Sequence, residues 1–165
     1  GVMKRVGELY TKSLGGLIVK FWNVYGIEKD IEKAHVITDF IRKGFESGII
    51  DMMTDGTEAR EFLYAEDCCE ALETVMGNYD RLTSDDELHI TTGNSTTILE
   101  IAQNIQKLFS NIGKEVIIKP AESKDEVQKD ARNVSDPYIQ KFWRSTTSVK
   151  EGLTKVFYEM KKNYE

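Results

Sequence analysis

Apolar residues first recur at helical spacing over residues 2 to about 14. There Val2, Val6, Leu9, Tyr10 and Leu14 share a face, and Gly15-Gly16 ends the run. The next stretch, Leu17-Ile18-Val19-Lys20-Phe21-Trp22, is nearly continuous in apolar residues, the pattern of a strand buried on both faces. Asn23-Val24-Tyr25-Gly26 reads as the loop that follows it. Val36, Ile37, Phe40, Ile41 and Phe45 predict an amphipathic helix over 35–46, closed by Gly48. Short strands are expected at 49–53 and 61–64, on either side of an Asp55-Gly56 turn. Glu66-Asp67 opens a helix to about Met76, with its acids at the end the helix dipole prefers. A strand over 87–92 precedes a helix that runs to Ser110. Thr96 or Thr97 caps that helix, and Thr97 and Glu100 are spaced for a capping box. A strand over 115–119, a polar loop over 120–134 and a short helix from Asp136-Pro137 follow. The terminal helix starts behind a second capping-box pair, Ser148 and Glu151.

The alternation is that of an α/β chain. A strand such as 17–22, buried on both faces, requires parallel neighbours and helices above and below. Few other segments are apolar enough to be those neighbours, so the chain reads as the second half of a larger α/β protein. Hydrophobic residues make up 40% and charged residues 30% of 165, a mixture able to bury a core, which excludes disordered, collagen-like and disulfide-scaffold classes. The net charge of -6, with no Lys/Arg block, argues against a nucleic-acid partner, and an anionic ligand would need a local cationic site. No apolar run approaches the roughly 20 residues that span a bilayer, and no signal-peptide pattern is present. Cys68 and Cys69 are adjacent on an expected helix and badly placed for a mutual disulfide. Two lone thiols fit a reducing cytoplasm and do not make a metal site.

Five collinear stretches carry a resemblance. Lys4-Arg5-Val6-Gly7-Glu8 looks like the end of a Tyr-x-x-x-Lys helix whose tyrosine would fall just before residue 1. Lys20-Phe21-Trp22-Asn23-Val24-Tyr25-Gly26 is similar to R-x-x-N-x-Y-G, with lysine in place of arginine. Ala34-His35-Val36-Ile37 opens the next helix. Asp55-Gly56-Thr57-Glu58-Ala59-Arg60-Glu61-Phe62-Leu63-Tyr64-Ala65-Glu66-Asp67 is close to D-G-x-x-x-R-x-F-x-Y-V-x-D. Trp143 and residues 148–153 match W-x-x-x-x-S-x-x-E-G-L. Together they resemble the C-terminal half of the extended short-chain dehydrogenase/reductase family, the nucleotide-sugar epimerases and dehydratases. The resemblance implies that residues 1–26 are the last helix and strand of a Rossmann domain. Residues 27–165 would then be mainly a small α/β lobe that binds the nucleotide sugar, with strand 87–92 a candidate to return to the Rossmann sheet.

The same resemblance implies roles for single residues. Lys4 would bind the nicotinamide ribose and lower the pKa of the catalytic tyrosine; on spacing alone it is a solvated helix lysine. Phe21 and Trp22 would lie on the nicotinamide side, and Asn23 would contact the substrate's sugar or phosphate; read alone they are core aromatics and a loop-capping amide. Arg60 would hold the diphosphate through its guanidinium fork, the alternative being a surface ion pair with Glu58 or Glu61. His35-Val36-Ile37 resembles GDP-fucose synthases and related 3,5-epimerases. There His35 would be an acid that reprotonates a sugar carbon, or with Val36 would only shape the substrate pocket. Loop 120–134, with Glu122, Lys124, Asp125, Asp130 and Arg132, falls where relatives close over the base and ribose.

The Gly-rich turn that holds a dinucleotide pyrophosphate and the tyrosine acid/base have no counterpart in the 165 residues. The expectation is therefore a fragment of an NAD- or NADP-dependent epimerase, dehydratase or reductase, with GDP-sugars favoured. The cofactor belongs to the intact parent and is not expected on this chain. A nucleoside-diphosphate sugar and a second copy of the chain are the expected partners. The alternative is a non-catalytic binding or scaffold module of the same fold.

Overall fold

In the computed structural model, which describes residues 1–28, 30, 34–82, 88–125 and 135–165, helices and short strands alternate. In chain order these are α1 (Val2–Ser13), β1 (Val19–Phe21), β2 (Asn23–Tyr25), α2 (Val36–Ser47), β3 (Ile49–Asp51) and β4 (Ala59–Tyr64). They continue with α3 (Ala65–Gly77), β5 (Leu88–Ile90), β6 (Ser95–Thr97), α4 (Ile98–Asn111), β7 (Ile117–Lys119) and α5 (Val149–Lys161). Two 3-10 turns, Tyr79–Arg81 and Pro137–Lys141, complete the elements. β1 pairs with β5 and β3 with β7, both parallel. β4 is the centre of a three-stranded sheet, with β2 parallel on one side and β6 antiparallel on the other.

Side chains alternate across a strand, and on β4 both faces are buried. Phe62 and Tyr64 join a core built by α2, α4 and α5 around Ile41, Ile105, Phe109 and Phe157. Leu63 points the other way, into a second core with Ala71 and Val75 of α3, Leu88 and Ile90 of β5, Ile139 and Trp143. Burying a large apolar side chain is worth about 1.5–3 kcal/mol.

The apolar run 17–22 is not the doubly buried strand its composition suggests. Val19 and Lys20 are half-buried and Phe21 is 53% exposed. Among the described residues β1 has one hydrogen-bonded neighbour, β5, so one edge and much of one face stay open. The chain changes partner at Trp22, and Asn23-Val24-Tyr25, read as loop, is a second strand on β4. β6 likewise has no signature in the pattern, because Ser95-Thr96-Thr97 carries no apolar alternation and gains its strand geometry from pairing with β4. Both capping boxes form. Thr97 and Ser148 accept the backbone N–H of Glu100 and Glu151, and each glutamate accepts the cap residue's N–H in return. The 3-10 turn at Pro137 starts behind Asp136, whose side chain accepts from the Tyr138 N–H. Most of loop 120–134, including Asp130 and Arg132, lies outside the described residues.

Two contacts fix α5 and the segment before it. The Tyr25 hydroxyl donates to the Val149 carbonyl at 3.3 Å. A Cβ on Gly152 would lie 2.0 Å from that hydroxyl oxygen, so this helical position has room only for glycine. Asp67, 2% exposed, accepts the Thr146 and Thr147 N–H groups at 3.1 and 2.9 Å, the Thr147 hydroxyl at 2.7 Å and the Ser145 hydroxyl. Burial alone would raise its pKa. The hydrogen bonds from Ser145, Thr147 and Thr146 outweigh burial and hold the carboxyl below the ordinary range.

Two outcomes follow from these contacts. Gly152→Ala should destabilise the chain by about 1–3 kcal/mol through overpacking against Tyr25, read as a lower denaturation midpoint. An unchanged midpoint would mean that Tyr25 can withdraw from α5. Asp67→Asn should cost about 1–3 kcal/mol at neutral pH, because donors that faced a carboxylate lose an acceptor. Asp67 titrates lower in the folded chain than unfolded. Its contribution is therefore complete above about pH 4, the ordinary carboxylate value, and is lost as pH falls through the lower folded value. The stability gap between wild type and Asp67→Asn, measured by denaturation at a series of pH values, should narrow in that acidic window.

Candidate active site

A cavity of about 880 Å³ opens where β1 and β2, the start of α2 and β4 meet. Because side chains on a strand alternate, Glu58, Arg60 and Phe62 face it together from β4 and the residue preceding it. Phe21, Trp22 and Asn23 line it from the junction of β1 and β2, His35 and Val36 from the N-terminus of α2, and Asp125 from the loop after β7. The structure thus gathers Phe21, Trp22, Asn23, His35, Val36 and Arg60 around one space. Lys4 is outside it. That residue is exposed on α1, a helix with no buried residue.

Arg60 donates from Nη2 to Asp125 Oδ2 at 2.6 Å, across 65 residues of sequence. Both side chains are largely shielded, at 27% and 11% exposure, so the pair feels a lower dielectric than a surface pair. Neither Glu58 nor Glu61 is its partner. Glu58 accepts the Thr54 hydroxyl at 2.6 Å. Glu61 lies on the opposite face of β4 and accepts from the Thr91 hydroxyl, the Gly93 N–H and the Ser135 hydroxyl. The segment that carries Asp125 is tied down just before it. Ala121 N–H donates to the Thr54 carbonyl at 3.0 Å, Asp55 N–H to the Ser123 carbonyl at 2.8 Å, and the Ser123 hydroxyl to the Met53 carbonyl at 2.9 Å.

Asn23 begins a strand rather than a loop, and its amide donates to the Glu61 carbonyl at 3.2 Å, which locks β2 to β4. Trp22 packs 5.9 Å from the His89 ring, centroid to centroid, and the His89 Nδ1 accepts the Asp136 N–H at 2.9 Å. His35 is the residue that caps α2, with extended backbone and no cap bond from its own side chain. Glu28 serves there instead. Its Oε2 accepts the His35 N–H at 2.8 Å and the Thr38 hydroxyl, and its Oε1 meets the His35 Nδ1. Burial would raise the Glu28 carboxyl, but the bonds from Thr38 and His35 prevail and hold it low. Further along α2, Lys43 pairs with Asp39 at 2.7 Å and donates to the Asp51 carbonyl at 3.0 Å. Cys68 is buried at the cavity wall, and burial pushes its thiol up, which suits packing rather than nucleophilic chemistry.

Glu28, Thr38 and Asp125 are the site residues that the sequence pattern did not single out for these contacts. Asp125 sits in a polar loop with no periodicity, and Glu28 in a charged stretch that reads as solvated. The available signal is the acidic loop ahead of a helix whose cap residue, a histidine, makes no cap bond of its own.

Among the described residues no group of three His, Cys, Asp or Glu side chains is placed to hold a metal, and no helix is long and apolar enough to cross a membrane. Gly15, with φ of 73°, and Gly16 close the C-terminus of α1 and lead into β1. A pyrophosphate cradle needs glycines that open a helix. This pair has the reverse orientation, so the described residues do not fit that part of a dinucleotide.

The likenesses to other proteins bear on the family and the fold. Residues 2–91 match the model of the NAD dependent epimerase/dehydratase family. A GDP-L-fucose synthase of Sinorhizobium fredii is 28% identical over 159 residues, covering 91% of this chain and 49% of that protein. A putative UDP-glucose 4-epimerase of Methanocaldococcus jannaschii is 28% identical over 170 residues, covering 99% of the chain and 53% of that protein. Among solved structures, the epimerase Mth375 of Methanothermobacter thermautotrophicus superposes with a TM-score of 0.80 at 21% identity, over 99% of this chain and 50% of that one. The chain thus spans about half the length of these relatives, and its fold is that of the Rossmann-like epimerases and dehydratases. It belongs to the NAD dependent epimerase/dehydratase family, within the extended short-chain dehydrogenases/reductases.

Proposed function

We propose that the chain forms the nucleotide-sugar-binding part of an NAD- or NADP-dependent epimerase, dehydratase or reductase, with GDP-sugars favoured and a cytoplasmic place of work. The observation that carries this reading is the convergence of Arg60, Asn23, His35 and Trp22 on one cavity. Arg60 is the diphosphate anchor, because its fork matches two oxygens at once. Phe21 and Trp22 offer aromatic faces at the cofactor side, and Val36 walls the sugar. His35 stands where a proton can be exchanged with the sugar. A nicotinamide cofactor would supply the hydride chemistry, and no step is assigned to it on these residues. The preference for guanosine rests on His35-Val36-Ile37 and on the likeness to a GDP-L-fucose synthase. The likeness to a putative UDP-glucose 4-epimerase keeps uridine in the comparison.

A second reading, a binding module without catalysis, draws on one observation: Lys4 is not brought to the cavity. Val2, Met3, Leu9, Tyr10 and Leu14 are each more than half exposed on or beside the same helix. An apolar surface of that kind favours burial against another copy, and we assign α1 to a homo-oligomer contact. Light scattering of the purified chain should show a species larger than the monomer. Charged residues at Leu9 and Leu14 should restore the monomer, and a wild-type monomer at high concentration would overturn the assignment.

The diphosphate reading has its own test. In wild type Arg60 is engaged by Asp125, so an incoming diphosphate must displace one carboxylate. Titration calorimetry with GDP, UDP and dTDP should show Arg60→Ala weakening binding about tenfold or more, since hydrogen bonds to charged groups are worth about 1.5–3 kcal/mol. Arg60→Lys should also weaken it, keeping the charge but losing the fork. Asp125→Asn should tighten it by releasing the guanidinium. If both Arg60 variants bind every nucleotide like wild type, Arg60 is a structural ion pair and the proposed orientation of the substrate is wrong.

A further inference from the structure

A histidine at a helix N-terminus faces the positive end of the dipole, about half an elementary charge, which opposes protonation. At α2 that end is not bare. The Glu28 carboxylate occupies it, held by the His35 N–H at 2.8 Å and by the Thr38 hydroxyl through Oε2. Its Oε1 is left to meet the His35 ring at Nδ1. The carboxylate is shielded, with 24% of its side chain exposed, while 77% of the His35 side chain is open and lines the cavity. The Thr38 hydroxyl also lies 3.0 Å from the His35 carbonyl, so Glu28, Thr38 and His35 are fixed to one another at the first turn of α2. A carboxylate accepts hydrogen bonds and cannot donate them, so Nδ1 must carry the proton in the neutral ring. The remaining nitrogen, Nε2, then has its lone pair available.

We propose that Glu28 is a positioning residue for His35, fixing the neutral ring as the Nδ1–H tautomer and leaving Nε2 as the atom that exchanges protons with the cavity's ligand. Nε2 takes a proton and the ring becomes an imidazolium whose charge faces the Glu28 carboxylate. It returns the same proton from Nε2, and the carboxylate is unchanged throughout. Asp39, the next carboxylate along α2, is already engaged by Arg42 and Lys43, so Glu28 is the acid that acts on the ring. The inference rests on the assignment of His35 to proton exchange but not on nucleotide binding, and the two fail separately.

The chain has two histidines, and they make opposite predictions. The His89 Nδ1 accepts the Asp136 N–H, which requires the Nε2–H form in the neutral ring. Long-range proton–nitrogen correlation spectra of the nitrogen-15-labelled chain, recorded well above the ordinary histidine value of about 6.5, report each tautomer directly. His35 should appear mainly as Nδ1–H and His89 as Nε2–H. Glu28→Ala should convert His35 to a majority Nε2–H form, the one free imidazole prefers, and leave His89 alone. Glu28→Gln has one accepting oxygen, which the His35 N–H claims; its amide N–H then faces Nδ1 and should also shift the ring toward Nε2–H. Thr38→Val, which removes the prop under Oε2 with little change of shape, should give a mixture. A wild-type His35 found mainly as Nε2–H, or one indifferent to Glu28→Ala, would overturn the proposal. The wild-type spectrum decides the point even if Glu28→Ala fails to fold. Loss of nucleotide binding in the Arg60 titration would leave this result standing.

Discussion

The aim of Arg60 into the cavity depends on β4 being buried on both faces. Its alternation divides six residues between two tasks. The face with Phe62 and Tyr64 closes a core under α2, α4 and α5, and Arg60 on that face opens into the cavity. The other face sets Leu63 in the second core and Glu61 among the donors of Thr91, Gly93 and Ser135. A slip of one residue would exchange the faces, placing the guanidinium in the second core and the Glu61 carboxylate in the cavity. The two cores therefore set the register that aims Arg60. Asn23 adds a further lock, since its amide bonds to the β4 backbone and joins the Trp22 region to the same frame.

Electrostatics then decides what this frame can hold. The cavity wall carries four carboxylates, Asp39, Asp51, Glu58 and Asp125, against Lys43 and Arg60. Both cations are already paired, with Asp39 and Asp125. An anion entering such a site gains by exchange rather than by addition, replacing a protein carboxylate on Arg60. This narrows the net gain and raises selectivity for ligands whose anionic group takes both prongs of the guanidinium.

The elements visible in the sequence are those with strong local causes. Both capping boxes, the amphipathic helices and the Asp55-Gly56 turn depend on residues three or four apart, and all form where the pattern places them. The misread elements depend on distant pairing. Leu17 to Trp22 has the composition of a central strand, yet it has one neighbour among the described residues. β2 and β6 exist because β4 offers two edges. The cavity residues Asn23, His35 and Arg60 could be named because they lie within motif stretches. Asp125 could be placed only within a polar loop, since nothing local to it shows that its carboxylate meets a guanidinium 65 residues away.

The start of α2 shows why a residue's type and its place in an element do not settle its chemistry. From position alone, His35 caps a helix whose first N–H groups need an acceptor. The chain answers this seven residues earlier, with a carboxylate that takes the backbone N–H and the Thr38 hydroxyl on one oxygen and the ring on the other. The same group that satisfies the helix end also meets the imidazole ring. Capping of the helix and the setting of the histidine ring therefore rest on one side chain. The helix that walls the cavity cannot shift its N-terminus without also moving the histidine that lines it.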